Sequence, residues 1–205
     1  MIVLKSGPRE RNGTMARFYK GIGVGTHLHA RDLRVTGISP HMPGTPYSVN
    51  TLMQHIARAT TTSCCISLTR SYGIAVWYAR HGRLVSTPGT PGHVYEIEIP
   101  DPAPLGTVVV HDPVSEVSSL YPNPLAPSFY HHDGDSDFLL GVVNPTHMKR
   151  FLQRQVMHPP GATPTPRRPN LSIELETVVR ALRDAEVLAE GAIPPAWVLH
   201  RHDVV

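Results

Sequence analysis

The stretch Thr60 to Arg80 constrains the fold most, because it joins a short buried strand directly to a helix. The run Cys64 to Thr69 has the length and β-branched content of a buried strand, and the alanine- and aromatic-rich run Tyr72 to Arg80 predicts a helix. Ser71 lies at the junction, where its side chain can cap the helix. A corner of this kind can hold a hydroxyl group at the mouth of a cleft. The same pattern also fits an ordinary strand, cap and helix with no ligand.

Proline content and charge narrow the class of protein. The chain has 205 residues, of which 40% are apolar and 21 are proline, so we expect one domain with much irregular structure between short elements. The net charge is +3, but lysine and arginine are scattered, which argues against a dedicated nucleic-acid-binding surface. Histidines such as His27 and His41 fall at positions rich in glycine, proline and polar residues, and we interpret them as solvated loop residues.

The apolar runs are too short for a secretory signal or a membrane span. We therefore expect a soluble, cytoplasmic protein with no membrane partner, and export without a signal of the usual kind stays open. The two cysteines, Cys64 and Cys65, are adjacent, and neighbours on a strand point to opposite faces. This predicts neither a disulfide nor a shared metal, and we predict no metal site.

Further elements follow from the pattern of apolar residues and turn residues. A Gly-rich turn, Gly21 to Thr26, can approach a ligand closely, but it lacks the Lys-Ser/Thr pair and the helix of a P-loop. The remaining predicted strands are Ala16–Lys20, His93–Ile99, Thr107–Val110 and Phe138–Val143. The remaining predicted helices are Val49–Arg58 with Ser48 as its cap, Pro145–Gln155, and Ile173–Asp184 capped by Asn170 or Ser172.

The C-terminal part of the chain has two interpretations. Residues 158–169 are dense in proline and predict a linker within one domain that spans residues 1–205. The helix after it can continue to Glu190 and end at Gly191. Alternatively, Val187 to Ala189 form a short strand with Glu186 at its start. Periodicity slightly favours the helix.

Three patches of the chain, taken in order, resemble the cholera-toxin-like, Arg–Ser–Glu kind of mono-ADP-ribosyltransferase. The first patch is Phe18-Tyr19-Lys20-Gly21, and the second runs from Cys65 to Ser71 with Ala75 and Tyr78 beyond it. The third runs from Asp184 to Leu188, followed by Gly191, Ile193 and Pro194. This resemblance implies an α+β fold: an ADP-ribosyltransferase-like split β-sandwich with flanking helices and long Pro-rich loops.

The chain departs from that family's pattern in each patch. Lys20 stands where the family usually has arginine, and lysine cannot grip a phosphate bidentately. The second motif keeps only its first serine, Ser67, and the outer carboxylate of the third is Asp184 rather than glutamate. A competing third motif places Asp135 and Asp137 before the predicted strand Phe138–Val143. We favour Glu186, because it retains glutamate and the Gly-x-Ile-Pro continuation.

The resemblance implies NAD as the substrate and assigns a role to each matched residue. Glu186 would stabilise the ribose cation, Ser67 would hold that carboxylate or the ribose, and Asp184 would handle the acceptor. The residues that would bind NAD are Lys20 at the phosphates, Gly21 at the nicotinamide amide, and Tyr19 and Thr69 around them. Tyr72 or Tyr78 would stack on the nicotinamide ring.

The implied activity is transfer of ADP-ribose to a macromolecular acceptor, and a protein acceptor is favoured over nucleic acid. Two alternatives stay open. One is an NAD glycohydrolase, which uses water as the acceptor, and the other is a non-catalytic binding module that kept the fold. The sequence does not predict an oligomeric state.

Overall fold

The computed structural model describes residues 14–58, 62–118, 120 and 173–205. Within them the fold is α+β, as predicted: an open, six-stranded antiparallel sheet with a few short helices. The strands are β1 (Thr14–Ile22), β2 (Cys65–Thr69), β3 (Gly92–Asp101), β4 (Val109–His111), β5 (Glu186–Glu190) and β6 (Val198–Val204). The helices are α1 (Leu33–Thr36), α2 (Val49–Arg58), α3 (Tyr72–Arg80), α4 (Pro113–Ser118) and α5 (Ile173–Asp184), with a 3₁₀ turn at Pro195–Trp197.

The order of strands across the sheet is β4-β5-β2-β1-β3-β6. Strand β1 pairs with β3 at nine positions, from Thr14 opposite Asp101 to Ile22 opposite His93. On its other side it pairs with β2 at one position, Tyr19 opposite Thr69. The middle of the sheet is therefore held much more loosely between β1 and β2 than between β1 and β3.

Apolar side chains cover both faces of the sheet. Helices α2, α4 and α5 pack together over one face, where Leu52, Val117 and Leu182 are fully or almost fully buried beside Leu188 of β5. Helix α3 packs on the same sheet through its alanines against Val94. The largest apolar cluster includes Phe18, Ile66, Leu68, Tyr95, Ile97, Ile99, Val187, Ala189 and Ile193.

Several predicted elements are confirmed, with their caps. Helix α2 begins at Val49, and the Oγ of Ser48 accepts a hydrogen bond from the Thr51 N–H at 3.1 Å. Helix α3 begins at Tyr72, and the Ser71 Oγ accepts from the Ile74 N–H at 3.3 Å. The predicted strand Phe138–Val143, helix Pro145–Gln155 and linker 158–169 lie outside the described residues.

The favoured interpretation of the C-terminal part, a helix continuing to Glu190, is wrong, and the strand alternative is correct. Helix α5 ends at Asp184 because Ala185 adopts a positive φ of 45°, which a helix cannot contain. The chain then enters β5, which pairs with β2 on one side and β4 on the other. Val187 packs in the largest apolar cluster and Leu188 packs in the cluster with α2, α4 and α5, so both side chains are completely buried.

The prediction that the two cysteines point to opposite faces is also wrong. Strand β2 begins only at Cys65, so Cys64 lies in the bend before it. The two Sγ atoms are 3.8 Å apart and lie in the same apolar cluster as free thiols. No helix in the described ranges is long and apolar enough to cross a membrane.

Candidate active site

Three strands of the sheet bring an ammonium, a hydroxyl and a carboxylate together. The Nζ of Lys20, on β1, donates a hydrogen bond to the backbone oxygen of Ser67 at 2.8 Å. The hydroxyl of Ser67, on β2, hydrogen-bonds to the carboxylate of Glu186, the first residue of β5. The three side chains therefore meet where β1 and β2 are least paired.

The backbone around Glu186 is fixed by the corner between β2 and α3. The Thr69 Oγ1 donates to the Asp184 backbone oxygen at 2.6 Å, and the Arg70 N–H donates to the Ala185 oxygen at 3.0 Å. The positive φ of Ala185 turns the chain between these two bonds. Hydroxyl residues at this corner thus position the third motif as well as the second.

Two adjoining cavities open onto these side chains, and together we call them the cleft. The larger lobe has a volume of about 300 Å³ and the smaller lobe about 250 Å³. Both lobes are lined by Lys20, Ser67, Tyr78, Asp184 and Glu186. The larger lobe is also lined by His27, Leu28, Ile38, Ser39, Pro40, His41, His55, Ile56, Cys65, Ile66, Arg180 and Arg183. The smaller lobe is also lined by Tyr19, Gly21, Leu68 and Thr69.

The carboxyl group of Glu186 is hard to ionise in this position. Burial raises its pKa from 4.5 to about 7, and the nearby charge of Asp184 adds to the increase. The hydrogen bond from Ser67 and the charge of Lys20 act in the opposite direction. Burial also lowers the pKa of Lys20. A carboxylate whose pKa is displaced to near neutrality within a cleft is typical of a functional site.

A histidine that the sequence did not single out extends this arrangement. His55, on α2, has its Nε2 2.8 Å from the Ser67 Oγ and its Nδ1 2.6 Å from the Ser63 Oγ. Burial, Lys20 and His41 lower the pKa of His55 to about 4, so the imidazole is neutral at neutral pH. With the proton on Nε2, His55 donates to Ser67, Ser67 donates to Glu186, and Nδ1 accepts from Ser63.

This hydrogen-bonded chain orients the Ser67 hydroxyl toward Glu186. The chain begins at the Cys65 backbone N–H, which donates to the Ser63 Oγ at 3.1 Å. The one signal in the sequence is the position of His55, three residues after Leu52 and next to Ile56, on the buried side of α2. The role of His55 becomes visible only when the fold places α2 beside β2, so that the imidazole contacts Ser67.

Both carboxylate oxygens of Asp184 already have partners. The Arg183 Nε donates to Oδ1 and its Nη2 donates to Oδ2, each at 2.7 Å, and the Tyr78 hydroxyl donates to Oδ2 at 2.7 Å. Burial and this hydrogen bond raise the pKa of Tyr78, and Asp184 raises the pKa of Arg183. An acceptor would have to displace Arg183 or Tyr78 to reach this carboxylate.

The other predicted residues are placed in different ways. Tyr19 and Thr69 line the smaller lobe. Gly21 lines it too, but the hydrogen in place of its side chain faces α3, since a Cβ there would lie 2.1 Å from the Ala75 backbone oxygen. Close packing of the helix explains this glycine without a ligand. Tyr72 lies at the start of α3 against Tyr19, with ring centroids 5.5 Å apart, and lines neither lobe.

Tyr78, rather than Tyr72, is the helix α3 aromatic that lines both lobes. The alternative third motif, Asp135 and Asp137, lies outside the described residues. The same limit applies to metals: among the residues that the structure describes, no group of three or more His, Cys, Asp and Glu side chains could hold an ion.

Searches of protein-family models, curated proteins and solved structures gave no significant match to this chain. The geometry of the cleft is therefore the basis for assigning a function.

Proposed function

We propose that the protein is an NAD-dependent mono-ADP-ribosyltransferase that cleaves the nicotinamide–ribose bond in the cleft at Glu186. The observation that carries the proposal is the meeting of Lys20, Ser67 and Glu186 from three strands at one cleft. These are the residues at which the sequence resembles the Arg–Ser–Glu family, and 166 residues separate the first from the last.

The chemistry of NAD cleavage needs the groups that the cleft provides. Loss of nicotinamide leaves positive charge on the ribose, as in glycoside hydrolysis, so a fixed carboxylate stabilises the transition state. Glu186 supplies that carboxylate, Ser67 holds it, and Lys20 is a cation for the phosphates. The positive charge of the nicotinamide ring favours the ionised form of Glu186, which offsets the raised pKa of its carboxyl group.

The pairing of the strands supports the finer fold assignment, an ADP-ribosyltransferase-like split β-sandwich. Strands β1 and β2 share one paired position, and the side chain of Lys20 donates to the Ser67 oxygen. The larger lobe is lined by Ile66, which belongs to the largest apolar cluster, and by Ile56, which belongs to the cluster around α2, α4 and α5. Because β1 and β2 separate beyond their one paired position, a dinucleotide can bind between them beside Glu186.

The smaller lobe suits the nicotinamide end of NAD. The rings of Tyr19 and Tyr78 line it, together with the backbone of Gly21. Aromatic rings stack on a flat heterocycle, and backbone groups can bond its amide. The phosphates then extend toward Lys20.

The acceptor is the least constrained part of the proposal. A protein side chain is favoured over nucleic acid, because the basic residues of the chain are scattered rather than arranged along a face. One observation favours a second candidate, an NAD glycohydrolase. The Asp184 carboxylate is held by Arg183 and Tyr78, so it is not free to orient an acceptor, and water needs no such contact.

The test is release of free nicotinamide from NAD by the purified protein and two variants. Glu186→Gln keeps the size and the hydrogen-bond acceptor but removes the charge, and Glu190→Gln makes the same change at the other end of β5. We expect Glu186→Gln to lose at least about 100-fold in the rate of release, as when a main electrostatic contact is removed. Glu190→Gln should keep the wild-type rate.

The fate of the ADP-ribose separates the two candidate enzymes. Free ADP-ribose in amounts equal to nicotinamide indicates a glycohydrolase, and adenylate-labelled NAD that marks a macromolecule indicates a transferase. Equal release by wild type and Glu186→Gln would remove Glu186 from the mechanism. No release with or without candidate acceptors, together with binding of NAD, would indicate the non-catalytic binding module.

A further inference from the structure

The larger lobe of the cleft contains a pair of histidines that the proposed chemistry does not use. His27 follows β1 and His41 precedes α2, and the centroids of their rings are 4.5 Å apart. Both line the lobe beside Lys20. Within the described part of the chain, neither imidazole has a carboxylate partner. Two basic rings from separate loops are thus held together in one cavity.

The largest charge effects on His27 come from basic groups. Burial lowers its pKa first, and repulsion from His41, Lys20, Arg31 and Arg83 lowers it further. An anion that binds beside His27, His41 and Lys20 would relieve the repulsion among these three groups, although the carboxyl groups of Asp184 and Glu186 also line the lobe.

Lys20 offers further hydrogen-bond donors to the same anion. An ammonium group has three N–H donors, and one of them is used on the Ser67 oxygen at 2.8 Å. Among the described residues, no acceptor takes the other two. The charge of Glu186 raises the pKa of Lys20, so the two groups are close, and an anion bound to Lys20 would lie next to the Glu186 carboxylate.

We propose that His27 and His41 bind the diphosphate of a dinucleotide in the larger lobe, together with Lys20. This inference rests on the proposed function, since it places the phosphates of NAD in the larger lobe and nicotinamide in the smaller one. Two imidazole N–H groups and an ammonium provide several charge-assisted hydrogen bonds to phosphoryl oxygens. They replace the two-pronged contact of an arginine, which one lysine cannot make.

The test uses inorganic pyrophosphate as the probe, with its binding measured by calorimetry at neutral pH. The double variant His27→Ala/His41→Ala is compared with wild type and with His200→Ala/His202→Ala. The control pair is exposed on β6, and its ring centroids are 6.3 Å apart. We expect pyrophosphate to bind at least about tenfold more weakly to the first variant and unchanged to the second. Thermal unfolding of each variant verifies that it is folded.

A kinetic measurement identifies the source of the diphosphate. For nicotinamide release from NAD, the His27/His41 variant should show a raised KM and an unchanged kcat. A weaker affinity for pyrophosphate with an unchanged KM for NAD would overturn the assignment to the dinucleotide. Equal affinities in wild type and variant, or no binding to wild type, would overturn the anion site itself.

The failure of the proposed function gives a different result. If pyrophosphate binding depends on the two histidines but NAD is not cleaved, the anion site stands and the transferase chemistry is wrong. If NAD is cleaved with Glu186 dependence and the histidines affect neither the KM for NAD nor the affinity for pyrophosphate, the chemistry stands and the anion site is wrong.

Discussion

The two ends of strand β5 carry the same residue type in opposite surroundings. At one end Glu190 accepts from His111, whose Nε2 lies 3.1 Å from its Oε2, and the Nδ1 of His111 is 2.7 Å from Glu116. The ring of Tyr47 stacks on His111, with centroids 3.7 Å apart. At the other end Glu186 lies in the cleft with a serine hydroxyl, and its pKa is raised to about 7.

This contrast separates a structural carboxylate from a candidate functional one. The partners of Glu190 tie together β4, β5 and α4, so that its charge supports the fold. The partners of Glu186 orient its carboxyl group but do not offset the effect of burial on its pKa. The folded protein therefore contains a carboxyl group that is unfavourable to ionise. Proteins tolerate such local conflicts mainly where a function requires them.

Apart from the loss of Glu186 itself, we expect the largest effect at the cleft end of β5 from replacement of Lys20. Replacing Lys20 with Met should raise the KM for NAD by roughly 10- to 100-fold, because a charge-assisted contact to the phosphates is lost. Stability should change little, because loss of the hydrogen bond to the Ser67 oxygen is offset by removal of a charge that burial disfavours. Steady-state nicotinamide release and denaturant unfolding measure the two quantities.

The matched change at the other end of β5 is His111→Gln. It should leave KM unchanged and reduce the free energy of unfolding by about 1–3 kcal/mol, because two carboxylates lose a shared partner. A raised KM in His111→Gln, or an unaltered KM in Lys20→Met, would erase the distinction between the two ends.

A smaller effect is expected from His55, which acts on Glu186 through Ser67. His55→Gln breaks the chain from Ser63 to Ser67 and should reduce kcat about tenfold with little change in KM. The Ser67 hydrogen bond lowers the pKa of Glu186, so a misdirected hydroxyl should shift the acidic limb of the rate profile to higher pH. A loss of stability with an unshifted pH profile would reduce His55 to a structural role.

The smallest effect expected concerns stability and has opposite signs at the two ends. Between pH 4.5 and about 7 the folded chain keeps a proton on Glu186 that the unfolded chain has released. Stability from this group therefore falls as pH rises through that window and is lowest above it. Glu186→Gln should gain roughly 1–3 kcal/mol above pH 7, allowing for partial exposure of the side chain.

The control for this effect is Glu190→Gln, which should lose about 1 kcal/mol through a weaker bond to His111. Denaturant melts of the three proteins at pH 5 and pH 8 provide the comparison. If Glu186→Gln is less stable than wild type at pH 8, the carboxylate contributes to folding and the contrast is wrong.

Elements that depend on neighbouring residues in the sequence were mostly predicted correctly. The corner from Cys65 to Arg80 and its Ser71 cap depend on neighbouring residues, and both were found. The residues after Asp184 had two interpretations, with the helix slightly favoured, because the end of α5 depends on Ala185, which adopts a positive φ without being glycine. The bonds that hold this turn come from Thr69 and Arg70, more than 100 residues away, and no local pattern records them.

The candidate site divides in the same way. Short sequence motifs named Lys20, Ser67 and Glu186 as site residues, and the fold brings these three together. His55 was missed, because a histidine in a helix gives no signal until the fold brings it beside β2. His27 and His41 are exposed loop residues, as predicted, but their place beside Lys20 depends on the fold. The occupied carboxylate of Asp184 could not be foreseen either, since Tyr78 reaches it from α3.

The proposed function is tested most directly by a crystal structure of the wild-type protein with a carbocyclic NAD analogue that cannot lose nicotinamide. We expect the nicotinamide ribose within hydrogen-bond distance of the Glu186 carboxylate, the ring in the smaller lobe, and the diphosphate beside Lys20. An analogue bound away from Glu186, or a cleft that stays empty at saturating concentration, would contradict it.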